Sequence, residues 1–163
     1  MPASLSALAR TAARALTAAG APSPASLALI LSDDDELGDL NQEHMGEHGP
    51  TDVLSFPMLA PSAFPHHSGK QIDTAADRER APEFRQPRAR RTHLGDIVIS
   101  VERAIDQADL GRGGQTSDVA WSAADELRLL VVHGVLHVCG WDHANAVERN
   151  AMRKLEREVL GES

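Results

Sequence analysis

The chain has a single cysteine, no tyrosine, two tryptophans and three phenylalanines among its 163 residues. The lone Cys139 excludes an internal disulfide and fits a reducing compartment. So few aromatic rings argue against a stacking platform of the kind that many single-strand binders use. Apolar runs are short. Leu27–Leu31 and Leu129–Val132 fall far below the roughly 20 residues that a membrane-spanning helix needs. No charged segment followed by an uninterrupted apolar stretch opens the chain, so secretion is not expected and the cytoplasm is the expected location. Arg10 and Arg14, with no acid before Asp33, also suit an amphipathic surface helix. Positive charge is scarce: 16 Lys and Arg stand against 24 Asp and Glu, a net charge of −8. That balance does not suit a protein gripping RNA over a wide surface.

The charge is uneven. Seven acids and no Lys or Arg lie between Asp33 and Glu47, whereas Arg78, Arg80, Arg85, Arg88, Arg90 and Arg91 face only three acids between Asp77 and Arg91. A basic flap could attract phosphate locally; a solvated loop is the plainer reading. The length suits one domain over residues 1–163, and the hydrophobic fraction of 42% is ordinary for a globular protein.

Leucines at 5, 8 and 16 among alanines predict an amphipathic helix over Ser4–Ala19 that stops at Gly20. Ser26–Leu31 reads as a buried strand. The Ser32–Asp35 acids cap a helix that runs to about Met45, and Thr51–Phe56 is a second strand closed by Pro57. Residues 58–92 hold several prolines and the adjacent His66 and His67 without periodicity, and read as a flexible insert. The two histidines there could bind metal weakly or simply decorate the loop. Leu94–Ser100 is a third strand and Val101–Leu110 a helix. Ser117 or Asp118 is expected to cap a long, almost wholly apolar helix ending at Cys139. Ala144–Leu160 is amphipathic, with Val147, Met152, Leu155 and Val159 expected inward. The fold class is α+β: a small sheet of three or four strands packed by helices, without internal repeats.

The richest stretch is His133–His143, HGVLHVCGWDH. His133 and His137 differ by about 40° around a helix at roughly 100° per residue, so both rings leave one face, one turn apart. Gly140 offers a helix stop that lets the chain turn and bring His143 to the same point. Three imidazoles converging in this way describe a zinc site, and three protein ligands leave a position open for catalysis. The spacing is that of the metzincin proteases, but Gly134 stands where they carry their catalytic glutamate. The scaffold is there without the proteolytic base.

The neighbours have plainer roles. Cys139 lies about 200° from His137 and should point away from the metal as a buried hydrophobe. Asp142 could orient an imidazole, accept a proton, or cap the following helix. Trp141 packs beside the turn. Glu126, two turns before His133, is about 10 Å away along the axis and reads as solvated or as a supporting carboxylate.

Four stretches in order carry a family resemblance: Leu40–Asn41, PTDVLSFP at Pro50–Pro57, LGDIVIS at Leu94–Ser100, and HGVLHVCGWDH. Together they resemble the YbeY family of bacterial zinc endoribonucleases over roughly residues 27 to 160, apart from the insert. The resemblance implies a mixed sheet with helices and one zinc held by His133, His137 and His143. It also implies single-strand-specific RNA cleavage at the 3′ end of 16S ribosomal RNA, a part in ribosome quality control, and the ribosome or its proteins as partners. Ser55, Phe56 and Pro57 match the strand beside the cleft, where backbone groups meet substrate. Met45 stands where the family commonly has an arginine, which could hold phosphate by bidentate hydrogen bonds. Arg91, His93 or the insert are the candidates to replace it. The expected chemistry is phosphodiester hydrolysis, with zinc acidifying a water to a pKa of about 7 and Asp142 as candidate base. The alternatives are a non-catalytic ribosome-assembly factor with a structural zinc and a zinc-dependent peptide or amide hydrolase.

Overall fold

A computed structural model describes residues 3–70, 91–111 and 121–161. In order these form α1 (Leu5–Ala18), β1 (Ala25–Ser32), α2 (Asp34–Met45), β2 (Val53–Pro57), a 3-10 turn (Pro61–Ala63), β3 (Thr92–Ser100), α3 (Val101–Asp109), α4 (Ala123–Val138) and α5 (Ala146–Leu160). The local chemistry explains most of the boundaries. Ser4 Oγ accepts from Ala7 N to cap α1, and Asp33 Oδ1 accepts from Glu36 N to cap α2. Gly46, at φ 70°, ends α2 in the left-handed conformation.

The expectation for α4 needs correcting at its start. Ser117 and Asp118 lie outside the described residues. The cap is Ser122, which forms a reciprocal capping box with Asp125, each side chain accepting from the other's backbone N–H. Apolar composition alone could not locate this boundary; the S-x-x-D spacing does.

Among the described residues the sheet has three strands in the order β1–β3–β2, with β1 parallel and β2 antiparallel to the central β3. Strand alternation divides the packing. Ile97 and Ile99 face the main core with α1, α4 and α5, while Val98 turns the other way to meet Leu54 and Leu37 of α2. The helix α4 is the centre of the molecule: it packs on β2 and β3 and is itself covered by α1, α3 and α5. Leu127, Leu130, Val131, Val132, Val135 and Leu136 are almost wholly removed from water. An element apolar nearly all round is stable only in such a place.

On α5 the inward face is displaced by one residue from the expectation. Met152 and Val159 are buried, but Val147 is 61% exposed and Glu148 is buried in its stead. Val147 is about 140° from Met152 around the helix, whereas Glu148 is about 40° from it. Hydrophobicity favours Val147 and angle favours Glu148. The angle wins because the Glu148 carboxylate has hydrogen-bond donors waiting for it.

One glycine sets how closely α4 approaches the sheet. A Cβ on Gly134 would stand 2.7 Å from Ile97 Cγ2 and 3.3 Å from Ser55 Oγ. Ile97 is fully buried and β-branched, so it cannot swing aside. Gly134→Val is therefore expected to destabilise the fold by about 1–3 kcal/mol through overpacking. A urea midpoint equal to wild type would refute this account of the helix–sheet contact.

Candidate metal centre

The last turn of α4 and the loop after it bring His133, His137 and His143 together, with one potential ligand atom from each lying within 4.8 Å of the others. The reversal rests on a Schellman motif. Trp141 N donates to Leu136 O and Gly140 N donates to His137 O, with Gly140 at φ 83°. A Cβ at Gly140 would also meet Pro61 Cα at 2.9 Å, so glycine answers both the dihedral and the space.

Hydrogen bonds decide which nitrogens face the centre. His137 Nδ1 donates to Trp141 O at 2.9 Å, and His133 Nδ1 donates to Glu156 Oε1 at 2.7 Å. Both Nδ1 atoms are thus occupied by hydrogen bonds away from the centre, which turns both Nε2 atoms toward it. Those two Nε2 atoms stand 3.1 Å apart. Two imidazole nitrogens at that distance share a cation, whether a proton or a metal ion. The set of nitrogen donors and the carboxylate behind His133 fit a metal of the zinc class. Burial, aided by the neighbouring charges of His133 and His143, pushes the His137 imidazole down to about 4, so at neutral pH it is an unprotonated ligand.

The loop carrying His143 has its own support. Glu148 Oε1 accepts from Asp142 N at 3.0 Å and from His67 Nε2 at 2.6 Å. The His67 ring stacks on Trp141 with centroids 3.7 Å apart and planes 5° from parallel. Asn145 caps α5 through Glu148 N and also donates to Gly69 O. His67 is thus a structural clasp between the segment after β2 and the ligand loop, not loop decoration. Of the two readings of Glu126, the solvated one fails: it is 1% exposed and accepts a hydrogen bond from Trp121 Nε1. Cys139 is buried with its thiol pushed up to about 12 by burial, an inert hydrophobe as its helical angle predicts.

A cleft of about 390 Å³ opens over the histidines, walled by Met45, Thr51, Ser55 and Pro57. Ser55 Oγ donates to Gly134 O and ties β2 to α4 at the cleft floor. Phe56 lies on the opposite face of the sheet, edge-on to His44 with centroids 5.1 Å apart. Asp142 is exposed next to His143 and accepts from its backbone N–H at 2.7 Å. Arg91 is exposed at the foot of β3 and lines neither this cleft nor the one beside it.

Glu156 and Glu148 are the functional residues that pattern reading passes over. Their signal was present: Glu148, Met152, Glu156 and Val159 fall at helical spacing on one face, so two acids interrupt a buried stripe.

The sequence profile of the family described as Endoribonuclease YbeY matches residues 2–163. The Endoribonuclease YbeY of Symbiobacterium thermophilum is 36% identical over 153 residues, covering 93% of this chain and 81% of the relative. That of Salinispora tropica is 39% identical over 146 residues, covering 90% and 79%. The solution structure of TM1509 from Thermotoga maritima shares the fold, with a TM-score of 0.50 at 21% identity, across 96% of this chain and 81% of that one.

Two outcomes follow from this geometry. Glu156→Gln removes the negative charge behind His133 and is expected to weaken zinc binding about 10–100-fold, read by competition with a chromophoric chelator. Unchanged affinity would show that Glu156 only packs. In metal-free protein, His137 takes up its proton near pH 4 when folded and near 6.5 when unfolded. Between those values the unfolded chain binds more protons, so this contribution is complete above pH 6.5 and lost as pH falls toward 4. His137→Asn should therefore flatten the dependence of the urea midpoint on pH across that window; an equally steep fall would place the titration elsewhere.

Proposed function

The chain belongs to the family of YbeY endoribonucleases, hydrolases that act on RNA, and we propose that it cleaves single-stranded ribosomal RNA with one zinc ion held by His133, His137 and His143. The observation that carries this reading is the convergence of three histidines, with two Nε2 atoms 3.1 Å apart, in an open cleft. A divalent ion held there supplies Lewis acidity toward a phosphoryl oxygen and acidifies water.

The protein's own part is to hold and to orient. Glu156 and the Trp141 carbonyl orient the rings of the two helical histidines, and the Glu148 clasp holds the loop that carries His143. In the proposal, the backbone of β2 at Ser55 and Pro57 guides the strand past the histidines, and Asp142 takes or hands on the proton. Maturation of the 3′ end of 16S ribosomal RNA, association with the ribosome and a cytoplasmic location belong to the same proposal. No helix among the described residues is long and apolar enough to cross a membrane. Peptide hydrolysis has less support. The direction of a Cβ on Gly134 leads into Ile97 and Ser55, so the position that carries the proteolytic glutamate in metzincins is buried against the sheet.

The test is cleavage of end-labelled single-stranded RNA by zinc-loaded protein, by chelator-treated protein and by His137→Ala. Cleavage is expected only in the first, and zinc should restore it to the chelated sample. Equal cleavage in all three would identify a contaminating nuclease. No cleavage despite confirmed zinc would favour an assembly factor whose metal is structural, a reading to which Met45 at the cleft wall lends its one observation.

A further inference from the structure

A second cleft, also of about 390 Å³, lies between α4 and α5 on the other side of the histidines. It shares Asp52, His133 and His143 with the first, so the two meet at the metal centre. An enzyme that cuts within a strand must hold nucleotides on both sides of the scissile phosphate. The molecule has a place on each side, and only one of the two is lined by arginines. No Lys or Arg lines the first cleft. The second is lined by Arg149 and Arg153.

These two arginines stand one turn apart on α5, on the side that also carries Glu156. Among the described residues, neither guanidinium has a hydrogen-bond or ion-pair partner, whereas Arg103 and Arg128 each engage an aspartate. The carboxylates of the same wall are engaged elsewhere. Glu156 accepts from His133, Glu126 from Trp121, and Asp52 from Val53 N and Gln107 Nε2. Like charges at this spacing repel slightly in a helix, and although Asp52, Glu126 and Glu156 share the cleft, neither guanidinium is ion-paired with them. In a chain of net charge −8, an unpaired cationic pair beside the metal centre calls for an anionic ligand.

We infer that Arg149 and Arg153 hold backbone phosphates of the RNA on the α5 side of the histidines, with the half-buried Leu129 beside them offering an apolar surface to an adjoining base. This rests on the ribonuclease reading and extends it to a binding arm. The guanidinium fork suits phosphate oxygens, and spacing of one helical turn lets two arginines address neighbouring phosphates. Because only two cations take part, binding should be modest, and its electrostatic share should be small and countable.

The experiment measures binding of a fluorescent, cleavage-resistant phosphorothioate octauridylate to zinc-loaded protein as salt is varied, beside cleavage of ordinary RNA. The double variant Arg149→Ala/Arg153→Ala is compared with Arg10→Ala/Arg14→Ala, which removes the same charge from α1. Both pairs are exposed, and circular dichroism and zinc content are checked for each variant. The α5 pair is expected to bind about ten-fold more weakly at low salt, with the slope of log affinity against log salt reduced by about 1.4, two contacts on a single strand. The α1 pair should track wild type. Equal losses in the two double variants, or none in the α5 pair, would overturn the inference and leave the ribonuclease reading untouched. Wild-type protein that shows the α5-dependent binding without cleavage would uphold the arm and sink the cleavage reading. Protein that neither binds nor cleaves would overturn both.

Discussion

Three imidazole rings brought to one point, two of their nitrogens 3.1 Å apart, form the constraint on which the rest of the structure depends. Such crowding of donor atoms must be held from outside. Acceptors stand behind two of the rings, a carboxylate for His133 and a backbone carbonyl for His137, and a clasped loop carries His143. The buried helix α4 supplies the stiff wall from which two of the rings emerge. Burial also lowers the proton affinity of His137, so the site is ready for a metal at neutral pH.

Proximity between α4 and the sheet follows from the same need. Gly134 lets the helix settle onto Ile97 and Ser55, which sets the first cleft between β2 and the histidines. A glutamate at this position is incompatible with that approach. This chain's departure from the protease pattern at Gly134 is thus a packing fact as well as a chemical one. The polar groups of α5 complete the arrangement. Glu148 holds the loop of His143, Glu156 backs His133, and the exposed arginines line the second cleft, so one helix serves both support and charge.

Much of this was legible in the residues. The helical pair His133 and His137, the stop at Gly140 and the third histidine defined the metal set before any coordinates. Caps and breakers marked α1, α2 and the strands to within a residue or two. The failures share one cause. Val147 reads as an inward residue because it is apolar, Glu148 and Glu156 draw no attention because polar side chains are usually solvated, and the role of His67 does not follow from its loop. Each of these three polar residues is buried against a specific partner, and the decisive partners are distant in sequence: Glu156 from His133 by 23 residues, His67 from Glu148 by 81.

The sequence by itself determined the fold class, the three converging histidines and the family, because these depend on local periodicity, turn chemistry and ordered motifs. Only the tertiary structure decided which ring nitrogens of His133 and His137 turn toward the centre, which acid stands behind His133, and that two clefts meet there, only one of them lined by arginines. Those features depend on contacts between segments far apart in the chain, and no spacing along the sequence encodes the distance between α5 and α4.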